Sequence, residues 1–360
     1  MKNRLAYYIT AHGYGHGVRS CDVLRAFHAL RPNVDVLIVT DLPDEFLRNR
    51  MPNFNYKRVA RSLDIGMVQL DSIRMDVDRT LGLALDLCDQ HDEFCNREQE
   101  FLRKEEVGLA VCDIPGIPIA AAAAAGIPRY AIGNFSWSWI YEEFVPVDPR
   151  WQTVVDCFAA DYAQTDLLLR LPFAEPMSVF PVQQEVGLLA TPGTTRREAL
   201  AELTGAPLDL PWVLLSFSTL EWDDAAVANL TAMQEYAFFT VKPLEWEGAN
   251  LFAVDRSQIS FSDVLASIDV VVTKPGFGVV SECVANRKPM IYADREDFRE
   301  YPVLETAIQR YLQYQHLPTQ QLYQGDLRGA LEAIWRCPEP SETLPGGGAD
   351  QVAALLSAAF

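Results

Sequence analysis

Two of the chain's five histidines stand four residues apart on one glycine-rich stretch, His12-Gly13-Tyr14-Gly15-His16-Gly17, directly after the apolar run 5–10. An imidazole at the end of a strand suits general-base work, because its reference pKa lies near neutrality. A carboxylate beside it would orient the ring and stabilise its protonated form. Asp113, at the end of the apolar run 107–112, is the natural partner, and Asp41, after the run 34–40, is the second candidate. The other reading of His16 is a structural histidine capping a turn. A second constellation is Lys274-Pro275-Gly276-Phe277-Gly278, followed by Ser281 and Glu282. An apolar strand breaks there into a turn whose glycines let the backbone approach a ligand. Helical spacing then resumes through Val280, Cys283 and Val284. Unpaired N–H groups and the helix dipole make such a turn an anion site. Lys274 adds a fixed positive charge, and Glu282 is placed to reach a ribose. This reading is a nucleotide-diphosphate cradle; the alternative is an ordinary tight strand-to-helix turn.

Both constellations need a strand to aim them and a helix to anchor them, and the chain supplies both repeatedly. Apolar runs of strand length at 5–10, 34–40, 107–112, 129–132 and 166–171 alternate with helical patterns, the first of them from Val18 with apolar positions 18, 21, 24, 27 and 30. A proline-marked connection over 172–194 follows. The alternation then resumes with strands at 212–218, 236–241, 250–254, 270–273 and 289–293. Continuous apolar strands alternating with helices indicate parallel sheets covered on both faces. The expected fold class is therefore α/β, with two Rossmann-like domains whose parallel sheets face a central cleft. The expected boundaries are 1–175 and 176–345. A C-terminal helix within 346–360, after the glycine break 346–348, is free to pack back on the first domain. Ligands of such sheets bind at the carboxyl ends of the strands.

Composition narrows the function classes. The chain has 360 residues, 49% hydrophobic and 22% charged, the profile of a globular protein with a full core. A formal charge of −19 argues against nucleic-acid binding and against an anionic membrane surface. No apolar stretch is long enough and free enough of charge to span a bilayer, and the start of the chain lacks a secretory cleavage region, so the expected location is cytoplasmic. The seven cysteines are scattered without Cys-x-x-Cys spacing, which argues against a zinc site or a disulfide framework. Three further stretches are candidates. Ser216, Ser218 and Thr219 end a strand with hydroxyl donors suited to a diphosphate. Asp297 and Glu300 lie on a charged loop suited to sugar hydroxyls, or simply to solvent. Asn134, Trp137 and their neighbours form an aromatic loop suited to stacking on a sugar or to packing. Arg19, one helical turn after His16, suits a phosphate, an acidic acceptor or the surface.

These residues carry a resemblance. HGYGHGVR at the N-terminus and TKPGFGVVSECVANRKPMIY near residue 280 resemble the GT-B superfamily of nucleotide-sugar glycosyltransferases, the second motif being similar to the cradle of MurG-type and monogalactosyldiacylglycerol-synthase-type enzymes. With NFSWSWIYEEF at 134–144, nearly the whole chain looks most like the glycosyltransferase-like N-terminal region of plant L-arabinokinases and their stand-alone bacterial relatives, without the kinase domain. The resemblance implies that Gly276 and Gly278 approach the diphosphate of a nucleotide-sugar donor, that Lys274 neutralises it and that Glu282 binds the ribose hydroxyls; with the residues read above, the expected donor set is Ser216, Ser218, Thr219, Lys274, Gly276, Phe277, Gly278, Ser281, Glu282, Asp297 and Glu300. It implies that His16 sits at the acceptor; with Asp113 as its expected partner, the residues expected from their own chemistry to hold acceptor or phosphate are His12, Gly13, Gly15, Arg19, Asn134 and Trp137. Retaining members often carry a glutamate where this chain has Lys274, and that departure favours inversion. The implied activity is a metal-independent, inverting transfer from a UDP-sugar to a small soluble acceptor, the nucleotide-sugar being a substrate and no cofactor being needed. A nucleotide-sugar epimerase or hydrolase on the same fold, and a non-catalytic nucleotide-sugar-binding protein, are the alternatives. Base, sugar, acceptor and oligomeric state are not encoded in these motifs.

Overall fold

A computed structural model describes residues 3–69, 75–295 and 298–360. The chain divides into two compact units. The first takes the described residues of Met1–Val68, Asp76–Leu189 and Gly347–Phe360, the second those of Gln69–Met75 and Ala190–Gly346.

The first unit is built on β1 (Arg4–Ile9), β2 (Asp35–Val39), β3 (Lys57–Val59), β4 (Leu109–Asp113), β5 (Arg129–Gly133), β6 (Leu167–Arg170) and β7 (Gln183–Glu185), in spatial order β3-β2-β1-β4-β5-β6-β7. Every pairing is parallel. β4 is buried along its whole length, which explains its unbroken apolar sequence. β7 was not expected. It lies inside the proline-marked connection and pairs with β6, so the first unit runs on to Leu189 rather than ending at 175. The last helix, Gly348–Ala358, also belongs to this unit. Arg31 Nε donates to Ser357 Oγ at 2.7 Å, and Val352, Ala353 and Leu356 join the core formed by Leu24, Phe27 and the sheet. The glycine break at 346–348 is a packed joint. A Cβ on Gly348 would lie 2.1 Å from the Gly187 carbonyl oxygen, so only glycine fits there.

The second unit is built on β8 (Trp212–Ser216), β9 (Ala237–Val241), β10 (Leu251–Val254), β11 (Val270–Thr273), β12 (Met290–Ala293) and β13 (Tyr314–Leu317), in order β10-β9-β8-β11-β12-β13, again all parallel. In both sheets the strand order reverses beside the unit's first strand, between β1 and β4 and between β8 and β11. Loops leaving the carboxyl ends of the two strands at such a point diverge to opposite faces and leave a crevice between them. The paired strand ends are Ile9 with Asp113 in the first sheet and Ser216 with Thr273 in the second. The two constellations read from the sequence therefore sit at the two switch points.

Candidate functional site

The helix after β1 begins at Tyr14, not at Val18 as the sequence suggested, and runs to Leu30. Its buried face follows Gly17, Ser20, Cys21, Leu24 and Phe27, whereas Leu30 is 53% exposed. His16 therefore lies on the first helical turn, which fixes its backbone and points its ring at the end of β4. There Asp113, with no exposed side-chain surface, receives four donors. His16 Nδ1 lies 2.8 Å and Arg19 Nη2 2.5 Å from Oδ1; Arg19 Nε lies 2.8 Å and the Ser20 hydroxyl 2.9 Å from Oδ2. Arg19 Nη1 also donates to Asn134 Oδ1 at 3.0 Å.

This geometry sets the protonation of the site. Burial alone would raise the Asp113 carboxyl, but Arg19 and His16 outweigh it and hold the carboxyl far below its usual range. An ionised Asp113 accepts only. His16 Nδ1 lies 2.8 Å from this acceptor and 3.0 Å from the donor Arg19 Nη2; in the tautomer with its hydrogen on Nδ1 it donates to Asp113, the shorter contact. Nε2 is left as the basic nitrogen. Burial and then the Arg19 charge lower the His16 pKa, more than Asp113 raises it, so the ring is neutral at pH 7. The start of the helix acts in the same direction, since its positive end disfavours an imidazolium. Arg19, expected to bind phosphate or acceptor, is instead spent on Asp113 and Asn134, and Asn134 is spent on Arg19 and on the Pro172 carbonyl.

His12 belongs to a second pair. Its Nε2 lies 3.2 Å from Asp64 Oδ1, and the Trp137 indole N–H donates to Asp64 Oδ2 at 3.0 Å. Trp137, expected on an aromatic loop, sits at the start of the helix Trp137–Glu142, capped by the Ser136 hydroxyl. It is 5% exposed and stacked on Tyr141, so it packs and does not offer a sugar platform. Gly66, at φ +68°, lets the chain close over the His12 ring; a Cβ there would lie 2.3 Å from the imidazole. Gly13 and Gly15 have nothing within 4 Å of an added Cβ, so packing does not require them to be glycine.

Burial lowers the His12 pKa, but Asp64 outweighs it and raises the ring above 6.5; burial raises the Asp64 carboxyl, but His12 and Trp137 bring it below 3.8. The Asp64 contribution to stability is thus complete above 3.8 and lost as pH falls through its lower folded pKa. The His12 contribution is complete below 6.5 and lost as pH rises through its higher folded pKa. Asp64→Asn should cost about 1–3 kcal/mol, since it removes a buried carboxylate that accepts from the partly exposed His12 and from the Trp137 indole. Calorimetric melting of variant and wild type should show the widest gap between pH 3.8 and 6.5. A gap that does not vary with pH would mean the pair carries no charge.

In the second unit β11 ends at Thr273, whose hydroxyl donates to the Ser216 carbonyl at 2.8 Å. That bond brings the Ser216–Thr219 segment beside the Lys274 turn. Ser218 and Thr219 are exposed and Lys274 is half-buried. The helix Phe277–Asn286 starts after Gly276, which caps it with extended backbone and no side-chain hydrogen bond. Its first N–H groups therefore face the turn. Phe277 and Ser281 are half-buried, and Gly278 is exposed. Glu282 is 7% exposed, and the Ser262 hydroxyl, from the neighbouring helix Phe261–Ser267, approaches its carboxylate at 3.3 Å. Glu300 does not lie on a solvated loop. It is 5% exposed and electrostatically opposed to Arg295, so the sugar-hydroxyl role expected of it meets a carboxylate already facing a buried cation. Asp297 lies outside the described residues. Arg295 itself was missed. It is 9% exposed, stacks 3.3 Å over Phe298 and donates from Nη1 to the Pro275 carbonyl at 3.1 Å, bracing the turn from below. Burial brings its pKa down to about 10 against the raising effect of Glu300.

Among the described residues no helix is long and apolar enough to cross a membrane. No protein-family model matches the chain. An L-arabinokinase of Arabidopsis thaliana is 28% identical over 310 residues, covering 85% of this chain; the chain spans only 30% of that relative's length. Among solved structures, CalG4, the calicheamicin glycosyltransferase, is 16% identical with a TM-score of 0.61, covering 100% of this chain and 94% of its own. The Arabidopsis thaliana protein UGT89C1, solved with UDP-L-rhamnose, is 14% identical with a TM-score of 0.61, covering 99% of both chains. Over its whole length, then, this chain has the two-domain parallel α/β fold of the GT-B glycosyltransferases.

Proposed function

We propose that the chain is an inverting, metal-independent glycosyltransferase that moves a sugar from a UDP-sugar to a small acceptor. The observation that carries this reading is the buried Asp113 holding His16 through Nδ1. His16 Nε2 removes the proton of an acceptor hydroxyl as its oxygen attacks the anomeric carbon. The bond from that carbon to the diphosphate oxygen breaks, and configuration inverts. Asp113 stabilises the imidazolium that forms, and Arg19 keeps the carboxylate ionised. Lys274, the N–H groups at the start of the helix Phe277–Asn286 and the hydroxyls near Ser218 stabilise the charge growing on the nucleotide diphosphate.

Calorimetric titration of the chain with UDP, GDP, dTDP and ADP tests the donor half of this reading. One diphosphate should bind selectively, and Glu282→Ala and Lys274→Ala should each weaken it at least about tenfold, the loss expected for one charge-assisted contact. Failure of all four to bind would leave a shared fold without a donor site. The match to part of an L-arabinokinase favours a second reading, a nucleotide-sugar-binding unit without transfer. Selective binding without turnover across a broad acceptor panel would establish it.

A further inference from the structure

Glu282 is buried, yet a glutamate carboxylate turns softly about its last bond, so its orientation has to be set by its surroundings. The Ser262 hydroxyl lies 3.3 Å from one carboxylate oxygen and 3.5 Å from the other, within reach of both, and so limits that rotation. Ser262 is in turn held by a strap at the start of the second unit. Gly193 lies against the first turn of the helix Phe261–Ser267, where a Cβ would come within 2.0 Å of the Ser262 carbonyl oxygen and 2.8 Å of the Asp263 nitrogen. Gly193 has no left-handed φ, so close approach alone requires a glycine there.

The residues that follow grip the same helix. The Thr194 N–H donates to Asp263 Oδ1 at 2.8 Å, Arg196 Nε to Asp263 Oδ2 at 3.1 Å, and the Arg196 N–H to Ser267 Oγ at 2.8 Å. The strap also reaches the helix Phe277–Asn286. The Gly193 N–H donates to Asn286 Oδ1 at 2.9 Å, and Asn286 Nδ2 donates to the Glu282 carbonyl at 2.9 Å. One glycine therefore touches the residue that carries the hydroxyl and, through Asn286, the residue that carries the carboxylate.

We infer, taking the second unit as the nucleotide-sugar donor site proposed above, that Ser262 is a positioning residue for Glu282, set in place by the strap Gly193–Arg196, and that the two together make the site select a ribonucleoside diphosphate over its 2′-deoxy form. A carboxylate accepts through two oxygens. The vicinal 2′- and 3′-hydroxyls of a ribose can each donate to one of them, provided that the carboxylate plane is aligned with both. A 2′-deoxyribose offers a single hydroxyl here, which the carboxylate meets in many rotations. Holding the plane in advance thus favours the ribose. Without Ser262 the ribose itself must order the side chain, a cost of about two- to tenfold in affinity.

Calorimetric titration of the full chain with UDP, GDP and ADP, each beside its 2′-deoxy form, tests this. The wild type should prefer the ribose form of the diphosphate it binds by at least about tenfold, as for one charge-assisted hydrogen bond. Ser262→Ala should cut that preference by at least about threefold, through weaker binding of the ribose form, and should melt within a few degrees of wild type. Ser262→Thr, which keeps the hydroxyl, should restore the preference. Gly193→Ala, which forces the Ser262 backbone aside, should lower it as Ser262→Ala does; if that variant does not fold, the two Ser262 variants decide alone. No preference in the wild type, a preference unchanged in Ser262→Ala, or an equal loss for both forms would overturn the assignment and leave the donor site standing. If the wild type binds none of the diphosphates, the donor reading itself fails, and the role of Ser262 falls with it.

Discussion

Replacing His16 with alanine should lower kcat for sugar transfer by about 10²–10⁴-fold, the range a positioned general base supplies, while affinity for the nucleotide diphosphate stays within twofold. The argument rests on where the ring's two nitrogens are committed. Nδ1 is fixed on a carboxylate that has no exposed surface and no vacant donor position, so only Nε2 is available to an acceptor. Asp113→Asn should produce a loss of similar size, because an amide in that place can set its own N–H against the ring and turn the proton onto Nε2. Such a ring would be present, correctly packed and unable to accept a proton. Arg19→Lys should do less, since a lysine keeps the charge but loses the two-pronged grip on Asp113. The pH profile separates catalysis from packing. Because burial and Arg19 put the His16 pKa below 6.5, kcat/KM should rise with pH to a plateau already reached at neutrality. A Lys at 19 should shift that rising limb. If His16→Ala turned over like wild type, His16 would be a structural histidine after all, and the proton would have to leave by another route.

What the sequence revealed of this site and what it hid follow from the same physics. His16 and Asp113 were legible as partners because His16 closely follows, and Asp113 ends, an apolar run that a parallel sheet must bury, and parallel order brings strand ends to one edge. The start of the helix at Tyr14 was hidden because Gly13, Gly15 and Gly17 look like turn residues, although each helical glycine costs only about 1 kcal/mol and buried Leu24 and Phe27 recover it. Asp64 was not legible. It sits in a stretch without helix or strand, 60–68, where no periodicity assigns a side chain to an interior, and its burial arises from Trp137 and His12 arriving from elsewhere. Arg295 was hidden for a related reason. A run of charges reads as solvated, and only the sheet shows that this one lies under the Pro275 carbonyl.

Replacing Gly276 with valine should leave the melting temperature within a few degrees of wild type and weaken nucleotide-diphosphate binding by at least about tenfold, or 1.4 kcal/mol. Glycines in such turns are usually explained by strain, and here that explanation fails. Gly276 has φ −156° and ψ 148°, extended backbone open to any residue, and an added Cβ meets nothing within 4 Å. The protein itself does not need a glycine at this position. The remaining use for a missing side chain is to let something outside the chain approach the backbone N–H groups at the head of the helix Phe277–Asn286. Gly276→Ser sharpens the comparison. Serine is a good N-cap and valine a poor one, a difference of up to about 1 kcal/mol in stability, yet both place a Cβ where the ligand would lie. If binding falls in the order glycine, serine, valine while stability runs serine, glycine, valine, the loss tracks bulk at the cradle and not the health of the helix. Binding that follows stability instead would mean that Gly276 is only a helix cap, and the diphosphate would then have to be sought elsewhere in the second unit.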